Sequence, residues 1–186
     1  SEDALRRACD LLLATRPTAV NLAHAIARVR AAAAAAPPEE VAAAALAEAE
    51  AIEREEEQAS QVMADHGADL LSGARTILTH CNTGALAAPG RGTALAVIAE
   101  LHARGDLGQV TVTESRPLLQ GARLTTYELA RLGIPQELIV DSAAPGIIAA
   151  GGVDAVAVGC DRVAASGDVA NKVGTYSLAL AASASE

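Results

Sequence analysis

The sequence predicts an α/β protein in which a small helical unit precedes a mostly parallel sheet. Two observations carry this. Up to about Ser72 the apolar residues follow helical spacing, whereas from about Ala74 short apolar runs alternate with helix-like segments. Each of those runs also ends in a polar cluster, as strand ends lining a crevice do in open α/β sheets.

The elements follow in order. Leu5, Leu11, Leu12 and Leu13 space a first helix over about residues 2–14, which must end before Pro17. A second helix is expected from about Pro17 to Ala36, with Thr15 as N-cap and Pro37-Pro38 as its stop. A third runs from near Glu39 through the acidic stretch Glu53–Glu57 to about His66, that stretch reading as a solvated face. The alanine tracts at 31–36 and 42–45 favour helix over disorder. Strands are expected at Thr76–Thr79, Val110–Thr113, Leu138–Val140 and Ala155–Val158, with helices at about 93–104, 121–132 and 174–183. The expected domains are a partial helical one over 1–72 and a partial Rossmann-like α/β one over 73–186.

Composition narrows the function. The 186 residues include two Tyr, no Phe and no Trp, so the core is built from Ala, Leu, Val and Ile and offers no aromatic platform for bases. A net charge of -9 argues against a general nucleic-acid-binding face. Residues 1–72 carry 13 acidic and 6 basic groups and residues 73–186 carry 10 and 8, so the second part suits an anionic small molecule held by a few local cations. Three scattered cysteines, Cys9, Cys81 and Cys160, fit neither a disulfide scaffold nor a zinc site, and a cytoplasmic location is expected. Neither a membrane partner nor a metal is expected.

Cys81 is the residue most clearly placed for chemistry. It follows a short apolar strand and precedes the glycine-rich loop that leads to a helix near Thr93, where loop amides and a helix N-terminus can favour a thiolate. Gly90-Arg91-Gly92 imitates a dinucleotide fingerprint, but the third glycine position is Leu95 and NAD is not expected. Lys172, the one lysine in the sequence, lies just before the last helix in Gly167–Thr175, where an ammonium and free amides make an anion site. Asp161 ends the last strand run beside Arg162. It reads either as a salt-bridged or capping carboxylate or as an acid/base partner for the thiol. His80 alternates with Cys81 and should point away from it, and Cys160 reads as a small core residue.

Taken together, Thr79–Ala87 (Thr-His-Cys-Asn-Thr-Gly-Ala-Leu-Ala), Glu114–Thr125, Val153–Arg162 and Gly167–Thr175 closely resemble the methylthioribose-1-phosphate isomerases, and Thr15–Leu22 extends the resemblance over almost the whole chain. That family interconverts an aldose and a ketose phosphate in methionine salvage without a metal or cofactor. The resemblance implies that Cys81 and Asp161 are the catalytic pair and that Arg16, Gln120, Asn171 and Lys172 contact a phosphorylated pentose. A homodimer is expected with it. Chemically, phosphate on C1 blocks ordinary ring opening, so an acid must protonate the ring oxygen while hydrogen moves from C2 to C1. Cys160, Ser115 and Ser166 depart from the family's usual alanine, threonine and asparagine, and Asp141–Pro145 replaces a methionine-bearing turn. The family is about twice as long, and the chain is expected to be truncated at both ends, lacking a phosphate-binding arginine before it and closing strands after it. Two alternatives stand beside this reading, the first sharing the fold but opposed by Cys81, Asp161, Gln120 and Asn171-Lys172 together, the second opposed by Gly159–Arg162 and Leu118–Arg123. One is a non-catalytic relative of the regulatory subunits of the translation-initiation exchange factor. The other is an isomerase of ribose 1,5-bisphosphate or 5-deoxyribose 1-phosphate.

Overall fold

The computed structural model describes residues 2–16 and 18–185. Its contacts group the chain into two units, one holding residues up to Glu56 together with Cys160–Ala170, the other Glu57–Gly159 together with residues from Asn171 onward.

The first unit holds α1 (Glu2–Leu13), α2 (Val20–Ala35) and the N-terminal part of α3 (Val41–Leu70). Helix α2 starts later than the sequence suggests: Ala19, extended at φ -76 and ψ 136, is its N-cap and supplies no side-chain bond. Thr15 does not cap it. Its hydroxyl donates to Leu12 O at 2.6 Å, closing the end of α1, and the expected proline at the start of α2, Pro17, lies outside the described residues. Arg28 ties α2 to α3 by donating to Glu48 and to both carboxylate oxygens of Glu55. These bonds hold the Glu55 carboxyl below its ordinary range. A two-stranded antiparallel ribbon, β5 (Arg162–Val163) with β6 (Val169–Ala170), completes the unit and was not expected from the sequence. Cys160 opens that excursion exposed, not in the core, because the preceding strand has already ended at Ala157.

The second unit is a parallel four-stranded sheet, ordered β3-β2-β1-β4. Its strands are β1 (Thr76–Thr79), β2 (Gln109–Thr113), β3 (Gln136–Ile139) and β4 (Ala155–Ala157). The register sets Ile77 beside Val110 and Ala155, and Val112 beside Leu138. Strand β3 starts two residues and ends one residue earlier than the apolar run implied, because its pairing with β2 begins at Gln136 and Val140 already leads into the 3-10 turn Asp141–Ala143. Successive side chains leave a strand on opposite faces. Ile77, Val110 and Val112 accordingly bury against Leu95, Ile98 and Leu101 of α4 (Ala94–Ala103) and against Leu129 of α5 (Thr126–Arg131). Leu78 buries on the other face with Ala144 and Ile148 of α6 (Ala144–Ala149) and Leu178 of α7 (Thr175–Ser183). Each of these Leu, Ile and Val side chains contributes about 1.5–3 kcal/mol on burial. The helix expected over 121–132 is a π-helical turn, Gly121–Thr125, running into α5. Among the described residues no helix is long and apolar enough to cross a membrane, and no cluster of His, Cys, Asp and Glu could hold a metal.

Candidate active site

Four of the six residues singled out above belong to the second unit. Cys81 leaves β1 with φ 71, in the left-handed region that side chains other than Asn, Asp and Gly rarely adopt. Two neighbouring segments hold it there. Its N–H donates to Ser115 Oγ at 2.7 Å, and its carbonyl accepts from Thr125 Oγ1 at 2.6 Å. Ser115, fully buried and itself at φ 64, is fixed in turn by Asp141, whose two carboxylate oxygens accept from the N–H groups of Ser115 (2.7 Å) and Arg116 (2.6 Å). The next residue, Asn82, donates to Glu128 Oε1 at 2.8 Å and Thr125 Oγ1 at 3.2 Å, while its own Oδ1 is buried without a partner. Thr83 then closes the start of α4, its carbonyl accepting from Thr93 N–H at 2.7 Å and its hydroxyl from Leu95 N–H at 3.1 Å.

Gln120 joins the thiol to the lysine. One orientation of its amide donates from Nε2 to Cys81 Sγ at 3.4 Å. The reverse orientation donates from Nε2 to Ser115 O at 3.1 Å and accepts at Oε1 from Lys172 Nζ at 3.1 Å. We assign the reverse, because it satisfies both ends of the amide against a charged ammonium. Oε1 then faces the thiol and can accept a hydrogen bond from its S–H. Asn171 turns toward the last helix, donating to Thr175 Oγ1 at 2.9 Å. Helix α7 begins after Gly174, at φ 108, so the lysine sits three residues before its first turn.

Asp161 and Arg16 belong to the first unit. The Asp161 backbone is ordered by the ribbon, its N–H donating to Ala170 O at 2.9 Å, and its half-buried side chain follows from there. Arg162 donates to Thr18 O at 3.4 Å. The structure thus gathers Cys81, Gln120 and Lys172 into one cluster, with Asn171 next to the lysine in sequence, and carries Asp161 and Arg16 on the other unit.

Several residues of this cluster escaped the sequence reading. Ser115, Asp141 and Asn82 were visible as members of polar strand ends, Ser115 and Asp141 also as departures from the family pattern, but none was given a role, and Glu128 and Thr125 were not singled out. Their common task is to bond the backbone or side chains of a segment 25–46 residues away.

The initiation factor 2 subunit family model matches residues 2–186. A methylthioribose-1-phosphate isomerase of Klebsiella pneumoniae (strain 342) is 50% identical over 182 residues, covering 98% of this chain and 52% of that protein. One from Yersinia pestis (strain Pestoides F) gives the same identity and coverage. Among solved structures, 5-methylthioribose 1-phosphate isomerase from Pyrococcus horikoshii OT3 superposes with a TM-score of 0.88 at 40% identity, covering 98% of this chain and 52% of that one. The translation initiation factor eIF-2B subunit delta from A. fulgidus gives 0.82 at 41%, covering 99% and 54%. The chain spans about half the length of these relatives. With a matching sequence model across nearly every residue and the same backbone in both solved relatives, the chain belongs to the initiation factor 2 subunit family.

Proposed function

We propose that the protein is an aldose–ketose isomerase converting 5-methylthioribose 1-phosphate to 5-methylthioribulose 1-phosphate. The observation that carries this reading is the cluster of Cys81, Gln120 and Lys172, a thiol and an ammonium bridged by one amide at the sheet's C-terminal end. The solved relatives do not decide between isomerase and initiation-factor subunit, since both are about 40% identical. The isomerases at 50% identity, together with a thiol at 81 and a carboxylate at 161, favour chemistry.

In this reading Lys172, Asn171 and the amides opening α7 bind the 1-phosphate, and Gln120 and Arg16 orient the sugar. Asp161, as the general acid, delivers a proton to the ring oxygen as the C1–O bond opens, and Cys81 manages the hydrogen that leaves C2 for C1. No cofactor is required, since the substrate is both oxidised at C2 and reduced at C1. A cytoplasmic homodimer belongs to the same proposal. The exposed apolar side chains of edge strand β3 and its exit, Leu138 and Val140, support an assembly surface, which light scattering after gel filtration would test.

The test is turnover of the full-length gene product on methylthioribose 1-phosphate, ribose 1,5-bisphosphate and 5-deoxyribose 1-phosphate, followed by 13C NMR of the ketose carbonyl. Cys81→Ser and Asp161→Asn should each lower kcat by ~10² or more, with KM within a few-fold. Wild-type turnover in either variant removes that residue from the mechanism. Inactivity on all three sugars favours the non-catalytic subunit.

A further inference from the structure

His80 takes no part in the chemistry proposed above, yet it is a buried side chain held at both ring nitrogens. It is 1% exposed. Its Nε2 lies 2.8 Å from the carbonyl oxygen of Val173, which can only accept, so Nε2 carries the proton. In the neutral ring Nδ1 is then the bare nitrogen, placed 2.6 Å from Thr113 Oγ1 to accept from it. Ser115 Oγ, the acceptor of the Cys81 N–H, lies 3.5 Å from the same nitrogen. On its other side the ring rests against the backbone of Gly174, where a Cβ would come within 2.9 Å of both Cε1 and Nε2.

A buried polar chain thus starts at the backbone of Cys81, passes through Ser115, Thr113 and His80, and ends on the carbonyl that follows Lys172. We infer that His80 is a positioning residue: by fixing the Val173 carbonyl it sets the turn that aims Lys172 and the opening amides of α7 at an anion. The inference rests on the phosphate-site reading of Lys172. It adds that the thiol and the anion loop are fixed to one imidazole in one tautomer, so that disturbing the ring's Nε2 end loosens the anion site while disturbing its Nδ1 end does not.

The two ends can be separated by substitution. Asparagine places an oxygen where Nδ1 was and keeps Thr113 satisfied, but falls short of Val173. Glutamine places an N–H where Nε2 was and keeps the Val173 bond, but gives Thr113 no acceptor. Inorganic phosphate is titrated calorimetrically into the wild type, His80→Asn, His80→Gln and Lys172→Met, with melting temperatures measured alongside. We expect His80→Asn to weaken phosphate about fivefold or more and His80→Gln to stay within about twofold, although both melt lower than the wild type. Equal phosphate affinity in the two His80 variants overturns the inference, because a merely structural ring would not distinguish its two ends. If phosphate binding is absent or indifferent to Lys172→Met, the anion-site reading fails. The inference, which rests on that reading, falls with it; if the variants do not fold, His80 is judged on the histidine 15N spectrum of the unaltered protein. A proton on Nε2 whose resonance moves when phosphate is added supports the inference; a proton on Nδ1, or no movement, overturns it.

Discussion

Replacing Gly121 by alanine puts the packing of the π-helical turn to the test. Gly121 is buried, and a Cβ there would fall on the Thr113 carbonyl oxygen, with Ser115 Oγ at 2.8 Å and Thr113 C at 3.0 Å. Carbon atoms in good contact sit about 3.5–4 Å apart, so the turn must retreat from β2 by roughly 1 Å. The obstruction is main chain in a paired strand and cannot rotate aside, which places the cost at the upper end of the overpacking range, about 3 kcal/mol. For a chain of this size that lowers the melting temperature by about 6–12 °C. Gly146 is the internal control. It lies in helix α6, where an added methyl group would meet no atom within 4 Å, so Gly146→Ala should raise stability by up to ~1 kcal/mol. Urea unfolding followed by circular dichroism suits a chain without tryptophan. Equal stability of the two variants would refute the argument that the turn is fixed by contact with β2.

Two further outcomes follow from the polar contacts. Asp141→Ala removes the acceptor of the Ser115 and Arg116 N–H groups and should cost about 2–3 kcal/mol in urea unfolding, whereas a loss below ~0.5 kcal/mol would mean that water replaces the carboxylate. Hydrogen bonds from Arg91 and then Arg104 hold the Glu100 carboxyl below its ordinary value of 4.5. Because the folded state favours the carboxylate, that stabilisation is complete above the ordinary value and vanishes as pH falls through the lowered one. Wild type should therefore exceed Glu100→Gln by about 1 kcal/mol at pH 7, with the gap closing on acidification below 4.5; a gap constant with pH refutes the pairing.

The parts of the fold that the sequence disclosed are those whose signal is local. Strands β1 and β2 read directly because Ile77-Leu78 and Val110–Val112 are buried runs between polar ends. Helix α6 was missed because six residues with a proline and a glycine make no helical period, and the ribbon because its paired residues, Arg162, Val163, Val169 and Ala170, are all exposed. The start of α2 misled for a different reason: Thr15 has the chemistry of a cap but spends it on the preceding helix. In the site, the thiol, the amide and the lysine were legible as motif residues. The groups that hold them were not, since Ser115, Asp141 and Thr125 act on backbone atoms far along the chain, and one sequence carries no record of such pairings.

Under the proposed function, the left-handed backbone at Cys81 sets a standing trade between durability and use. A chain selected for folding alone would gain by placing glycine there, which relieves a crowding of roughly 1–2 kcal/mol, or asparagine, which tolerates the conformation better than most. Cysteine at this position is thus a local sacrifice that the surrounding bonds to Ser115 and Thr125 make bearable. Directed evolution for thermal endurance, with no demand for turnover, should discard the thiol early, and laboratory lineages kept under both demands should instead accumulate their gains in the helices remote from it.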